Sequence, residues 1–463
     1  MFKKIASTFA NCFKIPELKS RIIYTLIILA VCRVISIIPV PGVNGGALQQ
    51  HVENAARSSG GGGVLGMYSM FTGGALEKCA IGAVGIMPYI SATIIIQLLS
   101  AVIPRLSKMA REEGGRAKVI QYGRYLTVVL AAGWAIMTAQ GWLNAGMGGS
   151  MFEGFSGDLV SPMLRNHVWW YYVQTVIILT TGTMLLMWFG EQITERGIGN
   201  GVSLVITIGI VARLPQAFVG LKDMFRGGFD GPVFFQAVAL LLLLVAVVAG
   251  VIAVTQAQRK IPVQYAQRAV GRKVYQGGTS FMPLRVNYAG VMPVIFAQAI
   301  LTFPAPLLIR AGTSWDMPKL VGLGQMMSER HFFYLVLYGL MILFFSYFWV
   351  ATQFNELQIA DDLKKYGGYI PGVRPGQATS SFLHNAMSRI TLAGALFLTV
   401  IAVIPIILYN NMGVQPNVSQ FFGGTSMLIL VGVMLDTMRQ MESHLLMRHY
   451  DGFLKKGRIK GRF

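Results

Sequence analysis

LGMYSMFTGGALEKCAIGAVGIMPYISATIIIQLLSAVI, residues 65–103, sets two apolar runs of unequal length end to end. The second, 79–103, is long enough to cross a bilayer, whose ~30 Å hydrocarbon core takes roughly 20 helical residues. It contains Gly82, Gly85 and Pro88, and a proline inside a helix removes a hydrogen bond and permits a bend. The first run, Leu65 to Leu76, has only about twelve residues. It is too short to span and too apolar for a free loop. Irregular backbone at membrane depth survives only inside protein or beside a water-filled cavity, so this run reads as a re-entrant or cavity-lining segment. On length alone an interfacial helix is the alternative.

The rest of the 463-residue chain has the same character. Hydrophobic residues make up 54% and charged residues 13%, against about 25% charged in soluble domains. Mean hydropathy is +0.56. A soluble domain, a disordered chain, collagen, a coiled coil and a secreted disulfide scaffold are excluded. Ten stretches have spanning length: 22–40, 79–103, 119–142, 168–189, 198–219, 233–255, 289–309, 332–351, 390–409 and 425–441. The expected fold is therefore an all-α polytopic membrane protein with ten transmembrane helices. An even number puts both termini on one side. The 39 Lys and Arg outnumber the 19 Asp and Glu, giving +20. Nearly all of that excess falls in segments that are cytoplasmic when the N-terminus is cytoplasmic, as the positive-inside rule requires.

Five spans lie in 21–224 and five in 225–441. An odd number per half makes any repeat between them inverted in the membrane, an architecture common in proteins that form a path across a bilayer. In 1–20, Phe2, Ile5, Phe9 and Phe13 recur at helical spacing and read as an amphipathic helix on the cytoplasmic surface, a frayed tail being the alternative. Residues 442–463 form a basic tail. Two cytoplasmic loops are long, 256–288 and 353–388. The first carries Arg259, Lys260, Arg268, Arg272, Lys273 and Arg285 with no acid, and its alternating pattern predicts a short hairpin. The second carries Lys364, Lys365 and the turn signal Pro371-Gly372-Val373-Arg374-Pro375-Gly376. Positive-inside bias explains the charges but not the lengths. Such loops suit docking to an acidic partner or to RNA phosphates.

The spans themselves hold little chemistry. Few charged residues fall within them, Arg33 and Asp436 being the two singled out, whereas ion-coupled transporters place their ion-binding groups there. No catalytic set appears, so the chain is not read as an enzyme. Cys12, Cys32 and Cys79 show no paired spacing, and His444 and His449 are five apart, poor helical spacing for a shared metal. No metal and no cofactor are expected. The run Gly197-Ile198-Gly199-Asn200-Gly201 resembles a phosphate loop, but it follows a helical pattern and its glycines are misplaced for a dinucleotide site. Pro293, after Gly290, repeats in the seventh span the bend expected at Pro88 in the second. Gln97, Thr127 and Asn287 are placed to hydrogen-bond across neighbouring helices, each bond worth about 0.6–2 kcal/mol, unless they serve ordinary packing.

These motifs, in order, resemble the SecY family, channel subunits of the bacterial protein translocase. The resemblance rests on Met70–Leu76, Gly85–Ala92, Gly190–Gly201, Ala289–Pro293, Pro371–Gly376 and Phe422–Ser426 and covers essentially the whole chain. It implies two inverted five-helix halves around an hourglass pore. It implies a pore ring of Ile86, Ile90, Val202, Ile206, Ile295 and Ile429, branched side chains that suit an apolar constriction gated by dewetting. It implies a plug including Met67, Tyr68, Met70, Phe71, Thr72, Gly73 and Gly74. The lateral gate then lies between the second and seventh spans, with Gln97, Thr127 and Asn287 as its polar cluster. Arg259, Lys260, Arg268, Arg272, Lys273 and Arg374 would meet the ribosome or the ATPase SecA, a guanidinium suiting phosphate or carboxylate. SecE and SecG are further implied partners, signal-bearing polypeptides the substrate, and the lipid bilayer the medium into which apolar segments leave. The rival reading from composition and topology is a secondary transporter with inverted repeats.

Overall fold

A computed structural model describes residues 15–57, 72–112, 114–145, 159–225, 231–265, 268–270, 273–275, 278–302, 304–327, 331–412 and 425–456. The first span is α1 (Pro16–Ile35), followed by α2 (Gly45–Arg57). The second is α3 (Met87–Val102), which runs into α4 (Pro104–Arg111); the third is α5 (Gly115–Leu143). After the short α6 (Pro162–Arg165) come the fourth, α7 (Val168–Arg196), and the fifth, α8 (Gly201–Val211), continued by α9 (Leu214–Phe225). The second half opens with α10 (Gly231–Gln256).

Two corrections concern the proline-bearing spans. Helix α3 begins eight residues later than the apolar run, and Thr72–Ile86 are turns. The seventh span, α11 (Met292–Thr302), is likewise short and is followed by α12 (Pro304–Ser314) and α13 (Pro318–Met326). Pro88 and Pro293 therefore bend no helix interior. Each lies in the first turn, where the missing N–H would have had no helical partner anyway. The glycine three residues earlier takes a left-handed conformation, φ 65° at Gly85 and 63° at Gly290, which stops any helix arriving from before. Gly85-Ile86-Met87-Pro88 and Gly290-Val291-Met292-Pro293 are thus one device used twice.

The remaining spans are α14 (Phe332–Gln353), α16 (Gln377–Met412) and α17 (Thr425–Lys456), with α15 (Glu356–Lys365) between α14 and α16. Helices α16 and α17 extend well beyond their apolar stretches into the flanking polar segments. Among the described residues six helical stretches are long and apolar enough to cross a membrane, and Met87–Ser100 and Met292–Leu301 are shorter apolar helices.

Packing repeats between the halves. In the first, α1 packs on α7 and α8, α3 on α5, α5 on α7, and α7 on α8. In the second, α10 packs on α16 and α17, α11 on α14, α14 on α16, and α16 on α17. Matching the helices in order makes these five pairings coincide. The halves meet where α3 touches α11 and where α8 touches α17, each helix facing its own counterpart. Those four helices feed the large central hydrophobic core. A second core, within the first half, gathers Leu48, Leu76, Cys79, Trp142, Tyr171 and Leu179.

Between the spans the two long loops form β1 (Gln258–Tyr265), β2 (Arg268–Val270), β3 (Lys273–Tyr275), β4 (Thr279–Arg285) and β5 (Gly368–Tyr369). Strands β1 and β4 make the expected antiparallel hairpin, Lys260 opposite Pro283 and Val263 opposite Ser280. Strand β5 pairs with the other edge of β1, Gln264 opposite Tyr369. The two long loops therefore share one three-stranded sheet. Ile261 and Val263 alternate inward onto Phe354, Leu383 and Met387 of the α14–α16 region.

Candidate functional site

The six expected ring residues come from the four helices that join the halves. Ile86 caps α3 and Ile90 lies one turn on, the i, i+4 spacing that puts both on one face. Helix α8 supplies Val202 and Ile206 at the same spacing, α11 supplies Ile295 and α17 supplies Ile429. The five isoleucines belong to one core cluster, none more than 4% exposed, with the half-buried Val202 packed against it. Ile90 and Ile295 each follow their proline by two residues, so the repeated junction delivers equivalent side chains from opposite halves. Such a cluster offers no proton, ligand or nucleophile. It can exclude water and ions, and it can part around an apolar or extended chain.

Of the expected plug residues, Met67, Tyr68, Met70 and Phe71 lie outside the described residues. Thr72, Gly73 and Gly74 are within them, buried in a run of turns. A methyl group on Gly85 would stand 3.0 Å from the Thr72 Cγ2, so Thr72 packs on the backbone beside Ile86. The Arg33 guanidinium donates to the Gly73 carbonyl at 3.3–3.4 Å. Glu77 is buried and paired with Arg213, whose side chain is only 12% exposed. Cys32, Arg33, Thr72, Gly85, Ile86 and Val205 are among the residues lining a small cavity there. Sequence reasoning missed Glu77 and Arg213. The signals it had were Arg33, a cation near the end of the first apolar span, and Arg213 itself, inside the fifth apolar stretch.

Helices α3 and α11 form the seam expected of a lateral gate. Gln97 stands half-buried on α3. The fully buried Thr127 donates to the Gly123 carbonyl of its own helix, 2.8 Å. Asn287 donates to the Gly290 carbonyl, 2.9 Å, and so braces the turn before α11. These two bonds are local, not the interhelical bonds expected from sequence. A hydroxyl in a helix readily returns to the carbonyl four residues back, and an asparagine beside a turn to that turn.

Gly197-Ile198-Gly199-Asn200-Gly201 forms the tight link between α7 and α8. Its amides are already used: Ile198 N donates to Thr25 Oγ1, Gly199 N to Gln440 Oε1 and Gly201 N to Thr194 Oγ1, at 2.7–3.1 Å. Asn200 caps α8, its side chain accepting from Ser203 N at 3.3 Å. The motif ties the fourth and fifth spans to the first and tenth, leaving its N–H groups no role in holding phosphate.

Arg259 and Lys260 are exposed on β1, and Arg374 is exposed on the turn after β5, its carbonyl accepting from Thr379 Oγ1 at 2.9 Å. Arg268 opens β2 and Lys273 opens β3; Arg272 lies outside the described residues. The sheet thus brings the two basic loops, read separately in the sequence, onto one scaffold.

The sequence profile of the SecY family matches residues 80–438. The chain is 42% identical to the protein translocase subunit SecY of Chlamydia trachomatis serovar D, across 98% of this chain and all of that one. It is 41% identical to the same subunit of Thermotoga maritima, across 98% and 99%. The chain belongs to the SecY family. A solved structure described as a protein conducting channel superposes with a TM-score of 0.58 at 18% identity, over 95% of this chain and 94% of that one. Sec61 in a canine ribosome–channel complex from the endoplasmic reticulum gives 0.51 at 17%, with the same coverage. As a SecY-family member the chain is a multi-pass membrane protein with the channel fold of ten spans, and not an enzyme. The doubled packing pattern is the internal form of that fold.

Proposed function

We propose that this SecY-family chain is a protein-conducting channel. It passes unfolded secretory polypeptides across the membrane and releases the helices of membrane proteins sideways into lipid. One observation carries the reading: the four helices that join the halves converge their branched aliphatic side chains in a cluster that has no carboxylate, histidine, lysine or arginine among its members. An ion-coupled transporter needs a polar site at that depth; a seal around a moving chain needs the opposite. In this reading the ring of Ile86, Ile90, Val202, Ile206, Ile295 and Ile429 closes around the passing polypeptide. The segment ending at Thr72-Gly73-Gly74 serves as the plug, and α3 parts from α11 to admit a signal sequence.

The chain then resides in the bacterial cytoplasmic membrane with both termini cytoplasmic. Its boundaries are an amphipathic 1–20, halves 21–224 and 225–441, and the tail 442–463. SecE clamps the halves and SecG joins at the periphery. SecA or the ribosome docks on the sheet side through Arg259, Lys260, Arg268, Arg272, Lys273 and Arg374, supplying the driving energy.

The decisive experiment is site-specific photocrosslinking from residue 295 to an arrested secretory precursor, with SecA and ATP. A crosslink that depends on the signal sequence is expected. Its absence in a functional complex would show the path to be misassigned and would reopen the transporter reading. Ile295→Asn, which puts an amide into the seal, is expected to admit precursors with defective signal sequences; unchanged selectivity would remove Ile295 from the ring.

A further inference from the structure

Four contacts that hold segment Thr72–Glu77 belong to the first half. Arg33 of α1 donates to the Gly73 carbonyl. Gly73, at φ 63°, lies so close to α8 that an added methyl would stand 2.8 Å from the Gly209 Cα. Only glycine permits both that backbone angle and that approach. Beyond the end of α8, Arg213 pairs with Glu77, both almost wholly buried. Thr72 completes the placement by packing on Gly85, next to Ile86. Gly209 lies about one turn beyond Ile206 toward the outer end of α8, so the segment sits against the outer side of the aliphatic cluster.

None of these contacts involves the second half. Parting α3 from α11 leaves the contacts to Arg33, Gly209 and Arg213 intact; only Thr72, packed on Gly85 just ahead of α3, touches the junction from which the moving helix springs. Displacing the segment from the cluster, by contrast, breaks a buried ion pair, which is strongly destabilising because it strands a charge away from water. Two openings of one channel are therefore fastened separately.

We propose that Glu77 and Arg213, assisted by Arg33, are positioning residues that hold segment 72–77 over the outer side of the ring, governing passage across the membrane and not sideways release into lipid. This rests on the conducting-channel reading. The test uses the complete chain with its co-purifying subunits, reconstituted in liposomes. Iodide efflux without any precursor reports the through-path. Insertion of a test protein with one apolar helix reports the sideways path.

Glu77→Gln and Arg213→Gln are each expected to raise efflux by about tenfold or more, since each strands a buried charge or its partner. The double exchange Glu77→Arg with Arg213→Glu is expected to return efflux to near the wild-type level. Helix insertion is expected to stay within about twofold throughout, being coupled to a different interface. Wild-type efflux from both single variants, at unchanged melting temperature, would overturn the proposal. So would an exchange variant as leaky as the singles, or insertion that changes in step with efflux. Arg33→Gln loses only the carbonyl contacts and keeps the experiment decisive if the ion-pair variants do not assemble; it is expected to leak less than tenfold above wild type, and no increase would overturn the proposal. Efflux needs no polypeptide substrate. A wild-type complex that fails to export a precursor therefore counts against the conducting reading, whereas an exporting wild type with silent variants counts against this one alone.

Discussion

The junctions at Gly85 and Gly290 share four residues of pattern and nearly the same backbone angle, yet they are secured with opposite polarity. At the first junction the carboxylate, Glu77, is in the segment before the glycine, and the cation, Arg213, follows α8. At the second the cation, Arg285, is in the segment before the glycine, and the carboxylate, Asp436, is on the tenth span, near enough to Gly290 that its Oδ2 would stand 3.7 Å from an added methyl, and within the electrostatic influence of Arg439 and Arg285. The first pair is buried and in contact, while Asp436 is exposed. The difference teaches that the repeat preserves backbone geometry and leaves the fastening chemistry free: firm at the first junction, light at the second.

The largest effect that tests this contrast is loss of the carboxylates. Glu77→Ala is expected to cost about 3 kcal/mol or more, because it strands a buried guanidinium. Asp436→Ala should cost under about 1 kcal/mol, as for an exposed pair. Thermal melting of the purified complexes checks both, and equal losses would break the comparison. Next are the glycines. Alanine at either position must take a left-handed angle, costing about 1–2 kcal/mol. Gly85→Ala should exceed Gly290→Ala, because its methyl meets Thr72 at 3.0 Å while the nearest atom at Gly290 is Asp436 Oδ2 at 3.7 Å. Asn287→Ala should cost about 1 kcal/mol through its lost bond to the Gly290 carbonyl. The smallest effect belongs to Pro88→Ala and Pro293→Ala. In a helix interior, relief of proline would stabilise by about 3 kcal/mol, whereas in a first turn it should change little. Marked stabilisation of either variant would restore the kinked-helix reading.

What the sequence disclosed follows the range of the interactions. Span count was legible because apolar length acts locally along the chain. The ring residues are proposed through the resemblance, and Ile90 or Ile295 alone reads as ordinary core. The starts of α3 and α11 were misread: an apolar stretch looks the same whether helical or not, and only the backbone angle at Gly85 and Gly290 separates the two. The joining of the loops was hidden, because β5 has two residues and its partner β1 lies about a hundred positions earlier. Glu77 and Arg213 are 136 residues apart, and nothing local to either says that they meet. The Gly197–Gly201 motif reads locally as a turn, but its partners Thr25 and Gln440 sit on the first and tenth spans, beyond the reach of any spacing rule.

Helices α3 and α11 meet as counterparts, and so do α8 and α17. A two-fold axis relating inverted halves lies in the plane of the membrane and runs through both contacts, and the aliphatic cluster lies between them. Turned about that axis, the scaffold exchanges inside for outside and is nearly unchanged. The ten-span frame therefore carries no arrow. One-way traffic has to be imposed by whatever violates the symmetry: the sheet and long helical extensions on one face, the fastened turn segment on the other. A frame with these additions removed would conduct equally well, and equally aimlessly, in both directions.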